Sequence, residues 1–421
     1  MSYLPDKLLP YRTIFKNFTS LSILQIANYL FPLIVLPYIV RVIGPSKYGL
    51  INFAAAFVAY FNIICDYGFN ISGTKQISII RDDKIKLNIT YSNIVTIRIL
   101  LSVIGLIILL LLVNLIDMFD VNRTVFLLSY GTVIGYALFP GWFFQGIEQM
   151  KYITIIQLII RSIVTALIFI LIKEEGDFIL LILLNSLAQI VIGICGLIVA
   201  KTKFQIKFSF PKFRELRIQL KEGFSIFSST VAINLYTTSN TFILGLFASE
   251  TIVGFYAAAD KIRIAFQGIQ SVLSQTVFPH VNNLFKKSRQ EYLIFIRKLM
   301  KLQVVLGFCI SLILFVFSKE ISDIILGEQF LSSAVLLRII SPLPFLISIS
   351  NIYGIQIMLP MGLESIFNKI ISLAAFIHLI ILLILVPMFS AVGTSAAVVF
   401  TEFLISMIML LYIRKRRILL N

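Results

Sequence analysis

Eight charged side chains stand inside long apolar stretches, where a charge needs a reason. The cations are Arg98, Arg161, Lys261, Arg263 and Arg338; the acids are Asp66, Asp260 and Glu402. At the centre of a membrane helix each costs about 2.5–3.5 kcal/mol on insertion scales, so such residues mark a pathway or a partner. An excess of cations in a cavity suits an anionic ligand, and arginine matches the oxygens of phosphate in particular. These five are therefore the candidate substrate-binding cations. Asp260 and Arg263, three residues apart, lie on one helix face and can pair. Lys261 then points elsewhere, so one of the two cations lacks a local partner. The blander alternative is structural ion pairing, with Arg98 and Arg161 snorkelling to a helix end two turns away. Asp66, Asp260 and Glu402 are the candidates for an ion-coupling carboxylate. Glu402 is the deepest: a carboxylate there either pairs with a cation or carries a proton.

Uncharged polar residues fall into stripes. Gln25 and Asn28 share one face of the first apolar stretch. Asn234 and Thr238 lie on a later stretch, with Thr230, Thr237 and Thr241 around them. Such stripes glue helices together or line a wet cavity. Asn28 and Asn234 are 206 residues apart, and Gly49 and Gly254 are 205 apart. The runs Tyr48–Ala56 and Val253–Ala259 also look alike. A parallel repeat of two halves, with substrate between them, is a transporter architecture. Chance recurrence of Gly and Ala in membrane helices is the competing explanation.

These residues need many apolar helices to hold them. The chain has 421 residues, of which 59% are apolar and 13% charged, and its mean hydropathy is +0.97. Soluble domains run at about 45–50% apolar and about 25% charged. The composition excludes a soluble enzyme, a disordered chain and a nucleic-acid module. Taking about 20 apolar residues per crossing, twelve spans are expected: 17–40, 49–72, 91–115, 124–144, 153–172, 178–200, 223–247, 252–279, 299–318, 331–359, 366–387 and 391–413. With the N-terminus in the cytoplasm, 26 Lys and Arg fall inside and five outside, while eight acids fall inside and nine outside. That asymmetry is the positive-inside pattern, so both termini are expected in the cytoplasm. It also explains the net charge of +16 without nucleic acid. The expected organisation is a six-helix lobe over 1–205, a basic amphipathic connector over 206–222 and a second six-helix lobe over 223–421. Phe213, Leu216 and Leu220 follow Pro211 at helical spacing, which predicts a short helix on the inner leaflet. Pro32, Pro37, Pro342 and Pro344 are expected to bend their helices.

Other chemistry is poorly provided for. The chain has no P-loop, GxSxG or HExxH, and no metal or cofactor is expected. His280 and His378 are expected to be hydrogen-bonded structural residues. Cys65, Cys195 and Cys309 have no metal-ligand or CxxC spacing and are expected to be buried thiols. No cleavable signal peptide is expected, because the apolar run from Phe18 is too long for one.

The ordered set Asn17-Phe18, Pro32, Pro37-Tyr38, Arg41-Val42-Ile43-Gly44-Pro45, Tyr48-Gly49 and Phe53-Ala54 resembles the opening of the bacterial O-antigen flippases of the polysaccharide transporter family. So do Asp66-Tyr67-Gly68-Phe69-Asn70 and Pro140–Met150, which holds the chain's one Trp, Trp142. Leu220-Lys221-Glu222-Gly223 and Val253–Ala259 are similar too. The resemblance implies an all-α integral membrane protein, with about twelve helices in two six-helix lobes forming a V around a central cavity. It implies alternating-access flipping of undecaprenyl-diphosphate-linked repeat units to the outer face of the bacterial inner membrane. The implied partners are that lipid-linked oligosaccharide, the bilayer, and the polymerase and chain-length proteins of the pathway, with H+ or Na+ as coupling ion. Another exporter of the same superfamily, for peptidoglycan precursors or drugs, and a membrane polysaccharide polymerase or ligase are the rival readings. A polymerase or ligase would carry a large external loop, and the external connections expected in this chain are short.

Overall fold

The computed structural model describes the backbone of residues 9–416, and the side chains in that range except those of 9–18, 21, 225, 229, 232–233 and 235–237. Lys7 and Arg417 of the charge count therefore lie outside the described residues, as do the side chains of Arg12, Lys16 and Thr237. The described chain is helical almost throughout. It forms two compact units, residues 1–31 with 54–231, and residues 32–53 with 232–421.

Helix α1 runs Leu9–Asp66. Its 58 residues would span about 87 Å if straight, nearly three bilayer cores. It breaks instead at Gly44, whose φ of 70° and ψ of 172° suit a residue without Cβ. Pro32 and Pro37, expected to bend this helix, sit within it while its backbone stays helical. The bend is at the glycine.

The first unit continues with α2 (Phe69–Ile80), α3 (Lys84–Leu115), α4 (Asp117–Asp120), α5 (Arg123–Leu138), α6 (Gly141–Gly146), α7 (Lys151–Leu171) and α8 (Phe178–Lys203). Tyr67 and Gly68, both at positive φ, split the expected span 49–72. Asp83 caps α3 by accepting from the N–H groups of Ile85 and Lys86. The Lys86 bond chiefly holds this exposed carboxyl below the usual carboxylate range. Pro140 ends the helix expected over 124–144, and the short α6 buries Trp142, Phe143 and Phe144 completely. They pack with Phe69, Ile77, Tyr91 and Ile94 into one core. Outward, α3 exposes Leu100, Val103, Ile104, Ile107 and Leu111. Lipid tolerates such residues because it is as apolar as they are.

Helix α9 runs Phe213–Phe247 without a break, 35 residues long. The short helix expected on the inner leaflet is thus the first turns of this long helix. The chain passes from the first unit to the second within it, at Val231–Ala232.

The second unit contains the rest of α9, then α10 (Glu250–Lys287), α11 (Arg289–Val316), α12 (Ser318–Leu326), α13 (Ser332–Ile340), α14 (Leu343–Asn351), a π-helical turn at Ile352–Met358, and α15 (Glu364–Lys415). The break between α13 and α14 falls at Ser341-Pro342, as the prolines there require. Helix α15 kinks at Ser390, with φ of 53°. A core of Tyr292, Ile296, Ile352, Ile357, Met358, Ile370 and Met409 holds the π turn. Residues 32–53 join this unit through glycine. A Cβ on Gly49 would fall 1.7 Å from the Glu250 carbonyl oxygen, and one on Gly254 would fall 2.1 Å from that of Pro45. The two backbones pack in direct contact there.

Eight described helical segments are long and apolar enough to cross a membrane, those at Ser22–Ile80 and Glu364–Lys415 long enough to do so twice; α10, expected as the span 252–279, is not among them, because polar and charged residues interrupt its apolar run. Of the three cysteines only Cys65 is buried; Cys195 is half-buried and Cys309 exposed on α11. The thiol environment expected from apolar sequence is met at one position in three. An apolar stretch facing lipid reads the same as one facing the core.

Candidate functional site

The first unit holds two of the embedded cations in different settings. Arg161 on α7 donates to Asn28 Oδ1 on α1. Gln25, one turn earlier, donates to Tyr29 Oη at 3.0 Å. Arg98 is almost wholly buried, at 1% exposure. Its Nη1 donates to the Phe139 carbonyl at 2.9 Å and its Nη2 to that of Tyr136 at 2.7 Å. These carbonyls end α5, where Pro140 offers no N–H to continue the helix. The guanidinium also lies 4.9 Å from the Tyr136 ring centroid. The Tyr136 hydroxyl accepts from Asn70 Nδ2 at 2.6 Å and donates to Asp66 Oδ1 at 3.4 Å. Asp66, Asn70, Arg98 and Tyr136 thus form one buried cluster, and its cation is aimed at backbone.

The second unit holds the other three cations. Arg263 Nε donates to Asp260 Oδ1 at 2.7 Å, the pair expected from their spacing. Arg263 also donates to Gln267, one turn further along α10. Lys261 lies on another face of the same helix, exposed. No hydrogen bond or ion pair reaches its ammonium among the described residues. Arg338 Nε donates to Ser318 Oγ at 3.1 Å and stacks over Phe315 at 5.9 Å. Glu402, 6% exposed on α15, accepts from Ser350 Oγ at 2.6 Å. One residue earlier, Thr401 stands 2.9 Å from His378 Nδ1, while His378 Nε2 stands 2.9 Å from Asn240 Oδ1. Asn240, His378 and Thr401 therefore tie α9 to the two halves of α15. Asn234 and Thr238 are half-buried on α9.

Three settings result. Arg98 is bound by carbonyls, Arg161, Arg263 and Arg338 by neutral or acidic side chains, and Lys261 by none of the described residues. Sequence reasoning missed Tyr136, Ser350, Gln267, Asn240 and Thr401. Only Gln267 had a signal, four residues from Arg263 on one helix face.

A helical membrane protein of two units, with cations and carboxylates embedded among polar side chains and no catalytic constellation among the described residues, belongs to the class of multi-pass membrane transporters. Comparison with known proteins is more specific. Residues 14–285 match the family described as "Polysaccharide biosynthesis protein", and the chain belongs to that family. It is 32% identical over 404 residues to the "Putative O-antigen transporter" of Escherichia coli (strain K12), covering 96% of this chain and 97% of the relative. Among solved structures, an inward-facing multidrug resistance transporter of the MATE family in the MOP superfamily superposes with a TM-score of 0.70. It is 13% identical, with 94% of this chain and 98% of that one covered. The lipid II flippase MurJ, in an inward closed conformation, superposes with a TM-score of 0.67 at 12% identity, covering 97% and 87%. These two establish a shared fold.

Proposed function

We propose that this protein flips undecaprenyl-diphosphate-linked repeat units of an O-antigen or similar surface polysaccharide from the cytoplasmic to the outer face of the bacterial inner membrane. The observation that carries this reading is Lys261, an exposed lysine on the long helix α10 with no partner among the described residues, in a chain 32% identical to a protein named an O-antigen transporter. An ammonium held in that way is costly unless an anion meets it, and a diphosphate supplies one. Arg161, Arg263 and Arg338 are the further cations it would meet, with Gln25, Asn28, Asn234 and Thr238 for the sugar. Arg98 would act on them at a distance, by fixing the end of α5.

Alternating access moves the head group while the lipid tail stays in the bilayer, driven by H+ or Na+ at Glu402, Asp66 or Asp260. Polymerase and chain-length proteins would receive the product. Both termini are cytoplasmic in this reading. Two sets of contacts agree with its grouping of the loops into two sides. Arg81 pairs with Glu148 at 3.0 Å and Gln76 bonds Glu222, joining loops assigned to the inside. Ser46 donates to Glu250 at 3.1 Å and Arg41 to the Ile324 carbonyl at 2.5 Å, joining residues assigned to the outside.

The test is complementation in strains lacking a repeat-unit flippase, followed by flipping of the purified lipid-linked unit in liposomes. Restored surface polysaccharide and protein-dependent exposure of the glycan support the reading. Failure with every lipid-linked glycan, alongside export of drugs or peptidoglycan precursor, would replace it with another exporter of this fold.

A further inference from the structure

The first unit contains a pocket that none of the embedded cations enters. It has a volume of about 320 Å³ and opens between α2, α3 and the first turns of α9. Its polar lining is Gln76, Thr90, Asn93, Glu215, Gln219 and Glu222, and its apolar lining is Ile79, Ile80 and Ile218. The polar wall is built. Gln219 Nε2 donates to Gln76 Oε1 at 2.9 Å, and Gln76 Nε2 donates to Glu222 Oε2 at 2.9 Å. These bonds hold α2 and α9 together and fix the orientation of both amides. Asn93 is the anomaly. It is 6% exposed, yet its Oδ1 has no hydrogen-bond partner among the described residues. A buried acceptor left bare is costly and calls for a donor from elsewhere.

The lining selects the donor. It contains two carboxylates and no cation, so it repels phosphate. Glu215 and Glu222 are seven residues apart on one helix, about 10 Å along its axis. They cannot close on one metal ion or ammonium, but they can take separate donors of one extended ligand. Three isoleucines give an aliphatic wall. Spaced acceptors beside an aliphatic face suit a sugar ring, whose hydroxyls donate around its edge while its C–H face lies on hydrocarbon. The volume is at the small end of ligand pockets and suits a single ring better than a chain.

We propose that this pocket is a glycosyl-binding subsite that holds one uncharged sugar ring through Asn93, Glu215 and Glu222. It rests on the reading that the substrate carries a glycan, and adds that sugar and phosphate are held by different residues. The pocket's end of α2 carries Arg81 and Asp82, placed in the cytoplasm by the proposed topology, where a newly made unit would arrive.

Saturation-transfer NMR on the purified protein in a sugar-free detergent tests this, with the methyl glycosides of glucose, galactose, rhamnose and N-acetylglucosamine as probes. The wild type should transfer saturation to at least one of them at millimolar concentration. Asn93→Leu removes the bare acceptor, and Ile218→Trp fills the pocket from a half-exposed position that leaves the fold intact. Each should weaken the transfer at least tenfold. No transfer to any of the four glycosides, or undiminished transfer with Ile218→Trp, would overturn the proposal. Complementation is scored separately. A wild type that complements without binding glycosides here removes the subsite and keeps the flippase. One that binds them but flips no lipid-linked unit does the reverse.

Discussion

Lys261 stands one residue from an acid that is already committed. Asp260 accepts from Arg263 at 2.7 Å, and Arg263 is further occupied by Gln267. The i, i+3 spacing made that pair readable, and with it the lysine left over. A charge-assisted bond to a ligand contributes about 1.5–3 kcal/mol. Lys261→Ala should therefore reduce surface polysaccharide by roughly 10- to 100-fold while the membrane level of the protein, read by immunoblot, is unchanged. Normal polysaccharide would remove Lys261 from the substrate path. Arg98 differs although its residue type is the same. Its role depends on the end of α5, where Pro140, 42 residues away, withholds the N–H that would continue the helix at Tyr136, and helical spacing within α3 carries no trace of that. Arg98→Met should lower the unfolding midpoint in detergent, since it removes two buried bonds from a charged donor, each contributing about 1.5–3 kcal/mol. Arg161→Ala, which loses only Asn28, should lower it less. Equal midpoints would mean that the carbonyls find other donors. Glu402 was legible as deep, but its partner Ser350 was not: spacing tells which residues share a face, never which other helix meets them. If Glu402 carries the coupling proton, Glu402→Gln should still bind lipid-linked substrate yet lose the acceleration that a pH gradient gives the wild type in liposomes. A fully active Glu402→Gln leaves the carboxylate a structural residue that accepts from Ser350.

Helices were easier to anticipate than their breaks. Apolar length located nearly every helical stretch, and the pair Pro342 and Pro344 marked the interruption between α13 and α14. Pro32 and Pro37 stand within helical backbone instead of ending it, because a proline in a membrane helix can be accommodated when neighbours satisfy the carbonyl it leaves bare. Glycine placed the bend at Gly44 and the contact at Gly49 and Gly254. That contact has the clearest consequence for an element. A side chain on either residue would drive into backbone on the opposite helix, which cannot rotate away. Gly49→Val and Gly254→Val should each cut membrane abundance and transport several-fold. Gly176→Ala, whose new carbon would meet only Glu174 Oε1 at 3.9 Å, should leave both unchanged. If Gly49→Val accumulates and transports normally, the backbones are not in contact in the membrane.

For the molecule as a whole, charge statistics and hydropathy were enough to infer an all-helical membrane protein. They did not reveal that residues 32–53 pack with the later part of the chain. Sequence order suggested a first lobe ending near residue 205, whereas residues 32–53 pack in the second unit, where Gly49 and Gly254 bring two backbones into contact. The sidedness proposed from the 26-to-5 distribution of basic residues is open to direct measurement. In a background lacking Cys65, Cys195 and Cys309, single cysteines in 201–222, in 286–298 and at Arg416 should react only from the cytoplasmic side. Those at Ser46, Asp120, Glu250 and Gln329 should react from outside. An external 201–222 segment would overturn the topology.

The pairing of Gly49 with Gly254 also sets an order of events during synthesis. The hairpin around Gly44 emerges and enters the membrane some 205 residues before the helix it packs against has been made. Throughout that interval its final neighbour is not yet translated. The second unit is therefore completed by the return of a late helix to an early one, so that unit cannot mature segment by segment behind the ribosome. A nascent chain stopped anywhere before α10 carries a waiting hairpin, and the quality-control machinery of the membrane would meet the protein in that state.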